Sequence, residues 1–311
     1  MKQRILGKNG PELTVVGFGA WAIGGPWEFG WGPVDDNESI RAIQKGIELG
    51  INWIDTAAVY GLGHSEEVVA RAINGKRNEI FLATKCGMIW DDLKRVRIHA
   101  SPGSIRREIE LSLKRLKTDY IDLYQIHWPD PETPVEESWT AMAELQKEGK
   151  VKYIGVCNYD TSMLKKCNTI AKVQSLQPPY NLLRRQIEKE ILPYCKENGI
   201  GVVAYSPMQS GLLSGSFDIN KIANDDWRRK SKYFQEPYLS KALNIVENLK
   251  PIARKYNASV GNLAVSWVLS YPAVTSAIVG ARSPEQIEEI VKSASIVLDK
   301  EDYEKISSLS T

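Results

Sequence analysis

Short runs of β-forming residues alternate with amphipathic stretches eight times along this chain of 311 residues. Alternating strands and helices predict a parallel sheet, because each helix returns the chain to the same edge of the sheet. Eight such units close naturally into a barrel, and the chain is long enough to form one. The predicted strands are Val15–Gly19, Asn52–Asp55, Ile80–Thr84, Ile121–His127, Tyr153–Cys157, Val173–Gln177, Gly201–Tyr205 and Thr275–Val279.

Apolar residues spaced three or four apart mark a helix after each predicted strand. Ser101-Pro102 is a typical helix start, and Gly50 and Gly149 are typical helix ends. The sequence therefore predicts a (β/α)8 TIM barrel of the α/β class, with residues 1–311 forming one domain. The predicted helices are Ser39–Leu49, Ser65–Ile73, Ser104–Leu116, Val135–Lys147, Ser162–Ile170, Glu188–Glu197, Gly261–Leu269 and Pro284–Val291.

Two segments lie outside the eightfold repeat. Arg4–Leu6 and Glu12–Val15, joined around Asn9-Gly10, predict a small N-terminal β-hairpin that plugs the bottom of the barrel. Ser206–Ser240, after the seventh strand, is too long for a simple connection, and loops of this length are usually functional. We expect it to be a binding loop, followed by an extra helix at about Lys241–Lys255.

The charge balance and the cysteines limit the classes of partner. Forty basic and 38 acidic residues give a net charge of +2, which does not favour nucleic acid or an anionic membrane. The N-terminus has no apolar signal region, and the four cysteines form no CxxC pair. We therefore expect a cytoplasmic protein with reduced thiols, a small-molecule partner and a monomeric state.

Residues 17–22 match the G-x-G-x-x-A pattern of Rossmann dinucleotide sites. The context does not fit, because Gly24-Gly25-Pro26 follows where a helix should continue. The acidic residues further on, Asp35 and Asp36, open a helix instead of ending a second strand. We interpret the glycines of this motif as making room for a ligand outside a Rossmann fold.

Four polar residues follow three successive predicted strands. Asp55 ends the second strand, with Tyr60 five residues on; Lys85 ends the third; and His127 ends the fourth. Each residue alone has an ordinary structural explanation, such as a turn cap or a packed aromatic ring. Because the carboxyl ends of barrel strands meet at one mouth, the four together predict a catalytic site.

These residue types suit proton transfer to a carbonyl oxygen. A free tyrosine titrates near pH 10, and an adjacent ammonium group lowers that pKa. Asp55 would hold Lys85 charged, Tyr60 would donate the proton, and His127 would orient the carbonyl group. No metal-ligand spacing and no pair of nucleophile and base stand out, so hydride transfer is favoured over hydrolysis.

Four sequence runs closely resemble the aldo-keto reductases, and most closely the bacterial branch similar to the potassium-channel β subunits. They are Asp55-Thr56-Ala57 with Tyr60-Gly61, Ala83-Thr84-Lys85, Asp119 to His127, and Ile154 to Asn158. The resemblance implies a reductase in which Tyr60 is the proton donor, Lys85 and Asp55 activate it, and His127 orients the substrate. It also implies a nicotinamide cofactor bound on the barrel.

The resemblance extends residue by residue to the cofactor site. It implies nicotinamide contacts from the first loop and from Asn158, Gln177 and Tyr205, and adenosine contacts after the eighth strand, where Arg282 suits the 2′-phosphate of NADP(H). Cys157 and Ile290 depart from the serine and asparagine that relatives often carry. The full implied cofactor set is Gly19, Ala20, Trp21, Asp55, Asn158, Gln177, Tyr205, Ser206, Met208, Ser210, Gly211, Leu212, Arg228, Gly280, Arg282, Gln286 and Glu289.

Five tryptophans in predicted loops, Trp21, Trp27, Trp90, Trp128 and Trp227, are expected to line the substrate pocket. An aromatic mouth with few charges favours apolar or aromatic aldehydes. Two alternatives to the reductase remain open. One is a regulatory subunit that holds NADPH without appreciable turnover, and the other is a barrel enzyme that uses Lys85 as a Schiff base.

Overall fold

Eight parallel strands close into a barrel in the computed structural model, which describes residues 1–310. The barrel strands pair with their neighbours in chain order, and the last pairs with the first. The strands in chain order are β1 (Gln3–Ile5), β2 (Glu12–Thr14), β3 (Val16–Gly19), β4 (Trp53–Asp55), β5 (Phe81–Cys86), β6 (Met88–Trp90), β7 (Val96–Ile98), β8 (Ile121–Ile126), β9 (Val151–Cys157), β10 (Ser175–Gln177), β11 (Gly201–Ala204) and β12 (Val274–Gly280). All of these except the pairs β1–β2 and β6–β7 belong to the barrel, so the predicted (β/α)8 fold is confirmed.

Helices connect the barrel strands, and their apolar faces pack on the barrel. Ser101 caps the third helix, with Pro102 as its first residue, as the sequence predicts. None of the helices within residues 1–310 has the length and apolarity that crossing a membrane requires. The helices are α1 (Asp36–Glu48), α2 (His64–Ala72), α3 (Pro102–Leu116), α4 (Val135–Lys147), α5 (Thr161–Ile170), α6 (Ile191–Glu197), α7 (Tyr238–Lys255), α8 (Val260–Ser270), α9 (Pro284–Ile290) and α10 (Lys300–Ser308).

The N-terminal hairpin of β1 and β2 closes the bottom of the barrel, as predicted. Leu6 and Leu13 are fully buried in one apolar cluster with Trp53, whose indole lies inside the barrel at the start of β4. A Cβ atom on Gly17 would lie 2.0 Å from that indole. The interpretation of Gly17 as space for a ligand is therefore wrong, because it makes room for Trp53.

Two elements were not anticipated from the sequence. The strands β6 and β7 form a hairpin directly after β5, and the Asp91 side chain supports its turn by accepting the N–H groups of Leu93 and Arg95. The helix α10 follows α9 and packs on α8, where Trp267 and Tyr303 stack. The predicted long connection after β11 is present, with short 3-10 turns between residues 219 and 234.

Candidate active site

The four predicted catalytic residues lie together at the carboxyl end of the barrel. Asp55 ends β4, Lys85 lies near the end of β5, His127 follows β8, and Tyr60 lies in the loop between β4 and α2. The Lys85 Nζ atom donates hydrogen bonds to Asp55 Oδ2 at 2.6 Å and to Tyr60 Oη at 3.2 Å. The ring centroids of Tyr60 and His127 are 5.6 Å apart, and the two rings are nearly perpendicular. This arrangement connects a buried ion pair directly to the phenol of Tyr60.

The Lys85 side chain is held in its charged form. Burial by itself lowers the pKa of Lys85, but Asp55 and Tyr60 raise it, and the net pKa lies above the usual value. A third acceptor, the carbonyl oxygen of Thr56, lies 2.8 Å from Nζ. A Schiff base requires a neutral amine, so this environment opposes that alternative.

The pKa of Tyr60 differs from the sequence-based expectation. Burial raises this pKa, Lys85 lowers it, and the net pKa lies above the usual value. The expected net lowering by Lys85 is therefore wrong, because the cost of burying a phenolate exceeds the attraction of the ammonium group. Tyr60 keeps its proton at neutral pH and has the protonation state of a proton donor.

Burial also controls the charge of His127. It lowers the pKa of His127 well below the usual value, and the nearby Lys85 lowers it further. The imidazole is therefore neutral at physiological pH. A neutral imidazole offers one N–H donor and one acceptor, which suits a carbonyl oxygen as a partner.

The loop that carries Tyr60 depends on a close backbone approach. Gly61 adopts a left-handed conformation with φ of 62°, and a Cβ atom there would lie 1.8 Å from the carbonyl oxygen of Gly24. No side chain other than hydrogen fits at this position. The glycine after Tyr60 therefore allows the loops after β3 and β4 to pack together beside the phenol.

Amide side chains form a layer beside the catalytic residues. Gln177 Nε2 donates to Asp55 Oδ1 at 2.9 Å, and Asn158 Nδ2 donates to the carbonyl oxygen of His127 at 3.0 Å. The Tyr205 hydroxyl donates to Asn158 Oδ1 at 2.9 Å. Of the three residues that the resemblance assigns to the nicotinamide, Gln177 and Asn158 therefore contact candidate catalytic residues directly, and Tyr205 is joined to them through Asn158.

Gln125 is a site residue to which the sequence analysis gave no role. It is completely buried, and its Nε2 atom lies 3.4 Å from Asp55 Oδ1. Its Oε1 atom accepts from Gln177 Nε2 at 3.4 Å. The sequence could have indicated this role, because Gln125 is two residues before His127 and side chains at that spacing lie on the same face of a strand.

The first loop and the last strand meet beside the site. Gly19, at the end of β3, is in register with Asp55 on one side and Gly280 on the other. A 3-10 turn over Ala20–Ile23, which includes Trp21, follows Gly19 directly. The predicted nicotinamide loop and the predicted adenosine loop are thus adjacent.

The loop after β11 has an unusual backbone. Ser206, Gln209 and Ser210 all have positive φ, between 47° and 53°, and Gly211 has φ of 91°. Non-glycine residues in this conformation carry strain that is frequent at ligand sites. The Arg228 guanidinium pairs with Asp226 at 2.7 Å and donates to the Ser210 carbonyl at 3.3 Å. Arg228 therefore braces this loop, while Met208 and Leu212 are directed towards apolar clusters.

The predicted adenosine residues surround the start of α9. The backbone N–H of Arg282 donates to Gln286 Oε1 at 2.8 Å, so Gln286 shapes the turn. The Arg282 side chain is exposed, and no carboxylate within residues 1–310 forms a salt bridge with it. Glu289 pairs with Lys292 at 2.6 Å, and Ile290 is buried with only 7% of its surface exposed.

The tryptophans divide into two groups and one separate residue. Trp27 and Trp90 line a cavity of about 480 Å³ beside Gly61, and the Trp27 ring lies 6.2 Å from that of Tyr60. Trp21 and Trp227 pack on each other at 5.3 Å, and both contact Trp31. Trp128 stands apart and is 39% exposed.

Comparisons with known proteins identify the family. The model of the aldo/keto reductase family matches residues 15–311. The aldo-keto reductase YhdN of Bacillus subtilis is 40% identical, with 99% of this chain and 93% of that protein covered. An NADH-specific methylglyoxal reductase of Escherichia coli is 34% identical, over 97% of this chain and 96% of that protein.

A solved structure with the same architecture supports this family assignment. The glycerol dehydrogenase AKR11B4 from Gluconobacter oxydans superposes with a TM-score of 0.89 at 38% identity, covering 99% of this chain and 94% of that one. The match covers nearly the whole chain, including the barrel that carries the candidate catalytic residues. The chain belongs to the aldo-keto reductase family.

Proposed function

We propose that this oxidoreductase reduces aldehydes and ketones to alcohols with NADPH, and that Tyr60 donates the proton. One observation carries the proposal: Lys85 Nζ lies 2.6 Å from Asp55 Oδ2 and 3.2 Å from Tyr60 Oη. A protonated phenol beside a fixed ammonium group can release a proton as negative charge develops on a substrate oxygen.

The reaction needs a hydride at the carbonyl carbon, and a bound reduced nicotinamide supplies it. Tyr60 transfers its proton to the carbonyl oxygen, and Lys85 stabilises the phenolate that remains. Asp55 keeps Lys85 charged and fixed. The neutral His127 donates a hydrogen bond to the same oxygen and orients the carbonyl group.

The residues beside Tyr60 suit a nicotinamide cofactor. The amides of Asn158 and Gln177 can bind a carboxamide, and the Tyr205 ring offers an apolar face next to them. The exposed guanidinium of Arg282, unpaired with any carboxylate of residues 1–310, suits a 2′-phosphate and supports NADPH as the cofactor. A similar protein from Escherichia coli carries the name NADH-specific, so the preference for NADPH needs a direct test.

The cavity beside Tyr60 supports a preference for apolar or aromatic aldehydes. Trp27 and Trp90 form its aromatic walls, but Glu28, Asp91, Asp92 and Lys94 also line it, so this cavity is more charged than the sequence analysis expected. The three carboxylates outnumber the one ammonium group, so the lining disfavours an anionic substrate by like-charge repulsion. Turnover of 4-carboxybenzaldehyde should therefore be slower than turnover of its neutral amide, 4-formylbenzamide. Equal or faster turnover of the carboxylate would contradict this preference.

We also propose that the protein acts as a monomer in the cytoplasm. Its four cysteines are buried as free thiols, the state expected in a reducing compartment. Sedimentation of the purified protein tests the monomer, and a stable dimer would overturn that part of the proposal.

The test of the proposed function is a fluorescence titration with NADPH and with NADH, followed by turnover of 4-formylbenzamide. We expect tighter binding of NADPH and measurable turnover. Binding without turnover of any aldehyde or ketone would favour the regulatory subunit. Absence of binding to either nucleotide would overturn the proposed cofactor site.

A further inference from the structure

A buried carboxylate outside the catalytic set joins α2 to the strand that carries Lys85. Glu66, in the first turn of α2, is completely buried. Its Oε1 atom accepts the Thr84 hydroxyl at 2.6 Å, and its Oε2 atom accepts Arg115 Nε at 2.6 Å. A buried charge is costly unless it is paired and hydrogen-bonded, and both conditions are met here.

Thr84 directly precedes Lys85 in β5. Successive side chains of a strand point to opposite faces, so Thr84 points outwards to α2 while Lys85 points inwards to Tyr60. The bond from Thr84 to Glu66 therefore fixes the outer face of the strand at the position of Lys85.

Ser65, the residue before Glu66, contacts the loop that carries Tyr60. Its backbone N–H donates to the carbonyl oxygen of Tyr60 at 3.1 Å. Its hydroxyl donates to the carbonyl oxygen of Ala20 at 2.9 Å and lies 2.9 Å from the hydroxyl of Thr56. The carbonyl oxygen of Thr56 in turn accepts from Lys85 Nζ. One turn of α2 thus contacts the main chain of Tyr60 and the residue before Lys85.

We propose that Ser65, Glu66, Thr84 and Arg115, together called the α2 clamp, form a positioning device for proton transfer. The inference rests on the proposed role of Tyr60. Because the Tyr60 carbonyl and the Thr84 hydroxyl, one residue before Lys85, are bonded to consecutive residues of one helical turn, the clamp sets the separation of Oη and Nζ. Proton transfer is sensitive to displacements of well under 1 Å, so a loosened clamp slows it.

Thr84→Val tests the clamp with little change of shape, since only the hydroxyl is exchanged for a methyl group. Thr84→Ser restores the hydroxyl and serves as the conservative variant. Thr14→Val is the matched control: Thr14 is also completely buried and donates to the Val16 carbonyl at 2.8 Å, but it lies at the bottom of the barrel. Ser65→Ala provides a second variant of the clamp if Thr84→Val does not fold.

We expect Thr84→Val to lower kcat about tenfold with KM within about twofold of the wild type. Thr84→Ser and Thr14→Val should keep kcat within about twofold of the wild type. In the Tyr60→Phe background, Thr84→Val should cause no further loss, because the proton transfer it affects is already absent. A crystal structure of Thr84→Val should show a longer separation of Oη and Nζ than the 3.2 Å of the wild type.

Three results would overturn the proposal. They are an unchanged kcat in Thr84→Val, an unchanged separation of Oη and Nζ in its crystal structure, and a loss of activity that adds fully to that of Tyr60→Phe. If the wild type reduces no carbonyl compound, the proposed function fails by itself. The crystal structures of Thr84→Val and Thr14→Val then still decide whether the clamp positions Tyr60 against Lys85.

Discussion

Replacing Glu108 by Gln should stabilise the protein above neutral pH. Glu108 lies on α3, and only 6% of its surface is exposed. Its Oε2 atom accepts the N–H of Gly87 at 3.0 Å, and its Oε1 atom accepts the Ser104 hydroxyl at 2.9 Å. Burial raises the pKa of Glu108 to about 7, and the hydrogen bonds only partly oppose that rise. The folded protein therefore binds a proton here that the unfolded chain releases at lower pH.

The size and sign of the effect follow from linkage. Between the ordinary pKa of 4.5 and the folded-state pKa of about 7, the folded state holds more protons, so stability falls as pH rises. The gap between these values, at 1.36 kcal/mol for each unit, corresponds to about 3 kcal/mol. Glutamine stays neutral and matches the shape of the protonated side chain. Glu108→Gln should equal the wild type near pH 4.5 and exceed its stability by up to about 3 kcal/mol at pH 8.

Urea denaturation of both proteins at pH 5 and pH 8 measures this difference. Glu110→Gln is the matched control, because Glu110 lies on the same helix with its side chain 56% exposed. We expect the control to gain no stability at pH 8. The reasoning is refuted if Glu108→Gln has the same stability relative to the wild type at both pH values, or if it loses stability at pH 8.

Two predictions concern the proposed site. Arg282→Ala should weaken NADPH binding about tenfold and leave NADH binding unchanged, because one charge-assisted contact to a phosphate is lost; fluorescence titration measures both, and equal weakening would exclude a 2′-phosphate contact. His127 should remain neutral as the pH falls through the usual value of 6.5, because burial and Lys85 hold its pKa well below that value. The imidazole resonances in nuclear magnetic resonance spectra report this charge, and protonation near pH 6.5 would contradict the prediction.

The barrel and the grouping of the candidate catalytic residues could be predicted because both follow from local patterns. Each strand and helix of the repeat has its own apolar spacing, and the carboxyl ends of barrel strands meet at one mouth. Asp55, Lys85 and His127 could therefore be placed together without knowledge of any contact. The same reasoning placed the β1–β2 hairpin, because its turn at Asn9-Gly10 lies between two short strands.

Other features depend on tertiary contacts that leave no local pattern. The strands β6 and β7 have three residues each, too few for their alternation to be recognised. The pKa of Tyr60 is raised because the side chain is buried. The residue types around it in the sequence do not show how deeply it is buried. In the sequence, Glu66 has the features of an ordinary acidic residue at the start of a helix. Only the fold brings it into contact with Thr84 and Arg115.

The most direct test of the central claim compares wild type and Tyr60→Phe in binding NADPH and reducing 4-formylbenzamide. This substitution keeps the aromatic ring and removes only the hydroxyl group that Lys85 contacts. We predict a dissociation constant for NADPH within about threefold of the wild type and a loss of kcat of about a thousandfold, the size expected for a general acid. A kcat within about tenfold of the wild type would contradict the assignment of Tyr60 as the proton donor.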